Sequence, residues 1–346
     1  MPNGCNLLPG AEFYVAVDNK GLWPNLTLLP NGDIVAAVYN HPSHGLGAGD
    51  VELWASADEG RMWTLRSVVS DHSDQPTFIR MNHAVGLNAQ RELVALVSGY
   101  HEGQRRPTLP VQVCVSADGG CTWQRHLLED NFVPYGDIVC MPDGALVCAT
   151  YRTVCLDPRR YECPLLVSTD HARSWSHYAD LGDVNETSLL RCRDGLWLAS
   201  SRTPVKDRMD GALPHGSGQA LRRSTDEGKT WGAPKPVSPQ GQENAHLLEL
   251  SDGRILHSFT SRIPGLFGVV FRLSEDRGET WGEPQVLISM PGSDWHKTDC
   301  GYPSSVELAD GTIVTAYYFG AKKPEWFEHG LPWHPRYHMG VARWRA

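Results

Sequence analysis

The sequence predicts an all-β fold: a six-bladed β-propeller of four-stranded antiparallel blades, its ring closed by an N-terminal strand. Three observations carry this expectation. A Ser-x-Asp-x-Gly-x-x-Trp segment recurs through the chain, a second tight turn of Asp-Gly type precedes the copies, and apolar, β-branched runs fill the intervals. Internal repetition of one turn–strand unit is the signature of radial or solenoid architecture. The 34 glycines and 24 prolines among 346 residues suit many short strands joined by tight turns. Nothing in the composition resembles a linker, so residues 1–346 are expected to form one propeller domain.

The elements follow in order. The copies of the first motif are Ser56–Trp63, Ser116–Trp123, Ser168–Trp175, Ser224–Trp231 and Ser274–Trp281, the third carrying Ala172 where the others have glycine. Their aspartates, Asp58, Asp118, Asp170, Asp226 and Asp276, can accept hydrogen bonds from turn amides, and the glycine tolerates positive φ. The tryptophan then packs on the following strand, so these residues read as structural. The second turn is Pro30–Asp33, Pro142–Gly144, Arg193–Gly195, Ser251–Gly253 and Ala309–Gly311, with the degenerate Asn88–Arg91 in the second repeat. Asn-Gly and Asp-Gly between apolar runs are strong hairpin signals. Each repeat therefore reads as strand A, Asp-Gly turn, strand B, variable loop, strand C, Ser-x-Asp turn and strand D. Blades start near Trp23, Met81, Val133, Val184, Gln242 and Gly301. The last lacks the Ser-x-Asp turn, and Glu12–Val17 supplies its missing outer strand.

Composition narrows the partners. Lys and Arg number 31 against 40 Asp and Glu, a formal charge of −9 that argues against a nucleic-acid or anionic-membrane partner. No segment approaches the roughly 18 apolar residues of a membrane span. Met1–Gly10 lacks a signal-peptide pattern, and the nine cysteines lack metal-type spacing, so a reduced, cytoplasmic protein is expected. Cys155 and Cys163 flank one loop and could pair. The pattern implies no cofactor and no metal, although His329, His334 and His338 cluster near the C-terminus. That stretch reads instead as the last long loop, with Trp326 and Trp333 available to stack on a sugar.

Strands A and B are antiparallel, so the start of A and the end of B share the face opposite the tidy turns. Long B–C loops lie on that face, where function concentrates. Its register is polar in every blade: Asn25, His41 and His44; Asn82, His83 and His101; Tyr135, Asp137 and Arg152; Asn185, Glu186 and Arg202; Glu243, Asn244, His246 and Arg262; Tyr302, Tyr317 and Tyr318.

The five Asp boxes in a six-repeat ring resemble the sialidase (neuraminidase) superfamily over essentially the whole chain. Asn185–Leu190 followed by Ser200–Arg202 is similar to that family's glutamate and second arginine. Thr260–Pro264 puts Arg262 at the third arginine, and Gly301–Gly311 resembles the segment bearing its nucleophilic tyrosine, here Tyr302. The resemblance implies an exo-acting glycoside hydrolase that removes a terminal, carboxylate-bearing sugar from a glycan. Tyr302 would be the nucleophile, Glu186 its activating base, and Arg202 and Arg262 the clamp on the carboxylate. Asn25, His83, Asp137, His246 and Tyr318 would line the pocket. The chain departs from the pattern in its first blade. Leu22 or Trp23 stands at the first arginine, leaving Arg152 as a substitute, and the acid/base falls to His44 or to Asp50. Two other readings follow from these departures: a histidine-dependent hydrolase or lyase on rhamnose- or uronate-capped plant glycans, or a glycan-binding propeller without catalysis.

Overall fold

A computed structural model describes residues 8–73, 75–156, 158–204, 217–263, 266–289, 298–321 and 336–346. Among them every regular element is a strand, and antiparallel sheets are arranged as a propeller-like ring. Trp326, Trp333, His329 and His334 lie outside the described residues.

The first repeat forms one four-stranded sheet of β2 (Leu22–Leu28), β3 (Ile34–Tyr39), β4 (Val51–Ser56) and β5 (Thr64–Ser70). The fourth and fifth repeats do the same, starting from β16 (Asn185–Arg191) and β20 (Gln242–Glu249). The last sheet orders β1 (Glu12–Asp18), β26 (His338–Trp344), β25 (Ile313–Ala321) and β24 (Thr298–Glu307). The N-terminal strand thus pairs antiparallel with the C-terminal one, as expected, from Glu12–Arg343 to Asp18–His338.

The expectation of six separate sheets needs correction: four stand alone, and the second and third repeats share one ten-stranded sheet. Its link is a short parallel pairing of β6 (Phe78–Leu87) with β11 (Val133–Cys140), Ala84 to Gly136 and Val85 to Asp137. The cause is local. A Cβ on Gly86 would lie 2.2 Å from the Ile138 carbonyl oxygen, so only glycine lets the two backbones close to hydrogen-bonding range. This sheet also carries β8 (Gln104–Thr108) and β13 (Arg159–Glu162), the latter extending β12 (Leu146–Leu156) beyond the repeat.

All five Ser-x-Asp turns have the same wiring. In the first, Ser56 Oγ donates to Asp58 Oδ1 at 2.8 Å, the Gly60 amide donates to Ser56 Oγ, and the Met62 amide donates to Asp58 Oδ1. Ala172 adopts φ 67° where the other copies use glycine, a left-handed conformation that its small side chain survives. The apolar core lies between neighbouring sheets. Val35, Ala37 and Leu53 pack on Val85, Leu93 and Ala95, while Ile34 and Ala36 meet Val314 and Ala316 from the last sheet. Cys155 and Cys163 are free, one exposed and one buried, so the loop is not bridged.

The innermost strands β2, β6, β11, β16, β20 and β24 touch one another in cyclic order, with β24 returning to β2. Their starts converge on one end of the central axis, where the polar register lies.

Candidate active site

Each inner strand breaks register with its partner at the same place: between Leu22 and Asn25, Arg80 and Asn82, Tyr135 and Ile138, Asn185 and Ser188, Glu243 and His246, and Gly301 and Ser304. A bulge inserts a residue that the partner strand does not match, and so re-aims its side chain. In five of these strands the bulge holds a residue at positive φ: Trp23 at 53°, Gly136 at 72°, Glu186 at 40°, Asn244 at 55° and Tyr302 at 51°. Such a backbone costs of order 1–3 kcal/mol per non-glycine residue and persists where surrounding contacts enforce it. Trp23, Gly136, Glu186 and Tyr302 all line the central cavity. The bulges therefore deliver the chemical groups.

At the centre Tyr302 Oη donates to Glu186 Oε1 at 2.7 Å. Arg202 Nη1 donates to the other oxygen, Glu186 Oε2, at 2.8 Å, and Asn244 Nδ2 donates to that same oxygen. Arg202 Nη2 meets Glu243 Oε2 at 2.6 Å, and its Nε reaches Ser217 Oγ at 3.1 Å. Burial, then the charge of Glu186, holds the Tyr302 phenol well above its ordinary value. Burial alone would weaken the Arg202 cation, but Glu243 and Glu186 outweigh it and fix the charge.

A second group stands beside the first. His44 Nδ1 lies 2.5 Å from Asp299 Oδ2, Tyr318 Oη donates to Asp299 Oδ1 at 2.9 Å, and Tyr337 Oη reaches Oδ2 at 3.2 Å. Burial opposes ionisation of Asp299, yet His44 and Arg262 overcome it and keep its carboxyl below the usual range. Trp23 packs against both groups, edge-on to His44 at 5.2 Å and to Tyr302 at 6.2 Å between ring centres, while Tyr302 also meets Tyr318 directly at 5.8 Å. Both His44 and Tyr302 line the cavity.

Below them a polar floor crosses the ring. Asn25 Nδ2 donates to Asp137 Oδ1 at 3.1 Å, and His246 Nε2 contacts Asp137 Oδ2 at 3.0 Å. His83 sits at the wall with its two ring nitrogens against the Met81 and Ala37 carbonyl oxygens. The inner cavity measures about 130 Å³ and opens into a cleft of about 670 Å³. His44, Tyr100, Tyr151, Glu186 and Tyr302 border both.

The structure brings together Tyr302, Glu186, Arg202, His44, Tyr318, Asn25, Asp137, His246 and His83, with Arg262 on the cleft. Two expected residues lie elsewhere. Asp50 is tied to His72, accepting from its amide at 2.9 Å and facing Nδ1 at 2.5 Å, and it borders neither cavity. It anchors the first loop. Arg152 stands at the cleft's rim, half exposed and paired with Glu162 at 2.6 Å, so it does not replace the missing first arginine at the centre. An aromatic residue, Trp23, occupies that place. Sequence reasoning missed Asp299 and Tyr337. Asp299 lies two residues before the expected start of its strand, which begins at Thr298.

Solved structures share this architecture. A protein of unknown function from Dyadobacter fermentans matches at 22% identity with a TM-score of 0.77, covering 97% of this chain and 99% of its own. A Hadza microbial sialidase matches at 17% and 0.67, covering 88% and 66%. Trypanosoma rangeli sialidase, solved with the inhibitor DANA, matches at 13% and 0.70, covering 98% and 60%. This chain thus spans less than two thirds of the length of either sialidase, and at these identities the likeness is one of fold. No curated protein sequence matches it. The family model described as a BNR repeat-like domain matches residues 32–315, most of the chain. With its repeated Ser-x-Asp turns and sialidase-like ring, the chain belongs to the BNR repeat-like domain family.

Proposed function

We propose that this protein is an exo-acting, retaining glycoside hydrolase built on a six-bladed propeller, the ten-stranded sheet counting as two blades. The observation that carries the reading is the 2.7 Å hydrogen bond from the Tyr302 phenol to Glu186. A phenol is a poor nucleophile near neutrality, and burial makes this one harder still to ionise in advance. Its proton must therefore leave as the new bond forms, and Glu186 Oε1 is placed to take it. Arg202 and Asn244, both on Glu186 Oε2, hold the carboxylate with its other oxygen towards Tyr302.

In the first step Tyr302 Oη bonds to the anomeric carbon and its proton passes to Glu186. The glycosidic C–O bond breaks, and His44 supplies the proton to the leaving oxygen. Asp299 orients the imidazole through Nδ1. In the second step water attacks the glycosyl–tyrosine bond, His44 takes its proton, and Glu186 returns one to Tyr302. Both groups end as they began.

The test is Tyr302→Phe, which keeps the ring and removes the oxygen. Turnover on activated aryl glycosides is expected to fall at least about 10³-fold, within the range associated with chemical groups. A second readout on wild type, burst release of the aryl group before steady state, reports the covalent intermediate. Full turnover by the phenylalanine variant would sink the assignment. Binding without product from any glycan would leave the non-catalytic reading.

A further inference from the structure

The two connected cavities have opposite character. Among the described residues no arginine or lysine borders the inner one, whose walls are Trp23, Tyr135 and Tyr302 above Asn25, His83 and His246. Among the described residues Glu186 is its one carboxylate, and the Asp137 carboxylate lies just behind, bonded to Asn25 and His246. The outer cleft instead carries Arg152, Arg159, Arg202 and Arg262, with Glu186 its one acidic residue among the described residues.

A carboxylate in the inner cavity would meet Glu186 and Asp137 with no arginine or lysine among the described residues on that wall. Arg202 cannot serve it, because its terminal nitrogens already hold Glu186 and Glu243. The inner floor asks for something else. Asn25 Oδ1, Asn82 Oδ1 and His246 Nδ1 are buried polar atoms with no hydrogen-bond partner among the described residues. The side chains that carry them line the cavity and give it a polar face of the kind that pairs with sugar hydroxyls. The aromatic walls suit the apolar face of a ring. At about 130 Å³ the cavity is well below the ≈300 Å³ of ordinary ligand pockets, so one small ring fits the scale.

We propose that the substrate bears its negative charge not on the released sugar but on the residue next to it. A neutral terminal sugar fills the inner cavity, and a carboxylate-bearing neighbour lies in the cleft, facing Arg262 and Arg159. Arg262 is the stronger partner: Arg159 is exposed, and Arg152 is occupied by Glu162. Guanidinium groups recognise carboxylates through paired, charge-assisted hydrogen bonds. This inference rests on the glycosidase reading for the orientation of the substrate.

The experiment measures binding and turnover separately. Calorimetry on the Tyr302→Phe protein uses disaccharides of a neutral hexose or 6-deoxyhexose on a uronic acid, their carboxyl-reduced analogues, and disaccharides with the order reversed. The acidic-neighbour compounds are expected to bind at least tenfold tighter than the reduced ones. In Arg262→Gln, combined with the same background, that ratio is expected to shrink towards one. Equal affinity for acidic and reduced forms, or tighter binding when the acid is terminal, would overturn the proposal. Wild-type turnover on the same compounds, read by mass spectrometry, addresses the hydrolase reading by itself. No sugar release alongside the expected binding order would remove the chemistry and leave the subsite assignment standing.

Discussion

Asp299 illustrates how one carboxylate sets the behaviour of its neighbour. It is 3% exposed and touches the side chains of His44, Tyr318 and Tyr337. Replacing it with asparagine keeps the shape and removes the charge that holds the imidazole. Asp299→Asn is expected to lower kcat about 10²-fold or more on glycosides with poor leaving groups. On dinitrophenyl glycosides, which need no protonation to depart, the loss should be several times smaller. A purely structural role would depress both substrates equally, so equal losses would refute the positioning role. The contrast with Asp50 shows what was legible in the sequence. Tyr302, Glu186 and Arg202 were readable because they occupy strand positions, whose register a repeat fixes. Asp50 and Arg152 sit where a loop path or a strand extension decides direction, and no repeat constrains those. Trp23 was visible only as a missing arginine, although its ring lies against both His44 and Tyr302.

At the scale of elements, two devices recur: the bulge on each inner strand and the Ser-x-Asp turn on the outer hairpins. The turn was plain in the sequence because its side chains make its own hydrogen bonds. The bulge was not, since it exists only as a mismatch between paired strands. Gly301 shows its stringency, with φ at 119° and a Cβ position 1.9 Å from Thr260 Oγ1. Gly301→Ala is expected to cost about 2 kcal/mol or more, and to displace Tyr302 so that kcat falls with stability. Gly232→Ala, which meets only the Arg223 carbonyl oxygen at 3.6 Å, should cost far less. Thermal melts and kinetics on both variants check this; equal effects would mean that the bulge is not the constraint. The turns predict an acid limit. The Thr280 hydroxyl, then the Thr280 amide, draws the Asp276 carboxyl from 3.8 down to about 2. Asp58, Asp118, Asp170 and Asp226 are lowered as well. A carboxyl depressed on folding stabilises above its unfolded pKa, and that stability fades as pH falls through the folded value. Melting temperature should therefore drop between about pH 4 and pH 2, and Asp276→Asn should flatten the slope. An unchanged slope would assign the acid sensitivity to other groups.

For the whole molecule, repetition made the ring legible, while the join between two of its sheets depended on Gly86, a single residue no repeat marks out. Closure was foreseen from the sixth repeat's missing strand, and the structure shows how it is held. Val17 from β1 shares a cluster with Met339 and Val341 of β26 and with Ile34, Ala36 and Val38 of the first sheet. Arg343 adds a clasp, reaching Glu12 on β1 at 2.7 Å and Glu59 in the first Ser-x-Asp turn at 2.8 Å. Both glutamates are about half exposed, so the ion pairs contribute little, on the order of 1 kcal/mol or less each. Burial does most of the closing, at roughly 1.5–3 kcal/mol for each fully covered apolar side chain. Removing residues 1–18 takes away Val17 and strips the ladder from one edge of β26, an invitation to edge-to-edge association. The shortened chain is expected to melt at least about 5 °C lower and to aggregate on warming, whereas Arg343→Ala should shift melting by only a few degrees. Calorimetry with light scattering distinguishes the two. If the arginine variant proved the worse, closure would rest on charge and not on the buried strand. The site gives that difference its functional weight, because Tyr302 comes from the last sheet and Trp23 from the first. A ring loosened at this seam should therefore lose turnover at temperatures where its other sheets are still folded, and circular dichroism beside an activity melt reads that gap directly.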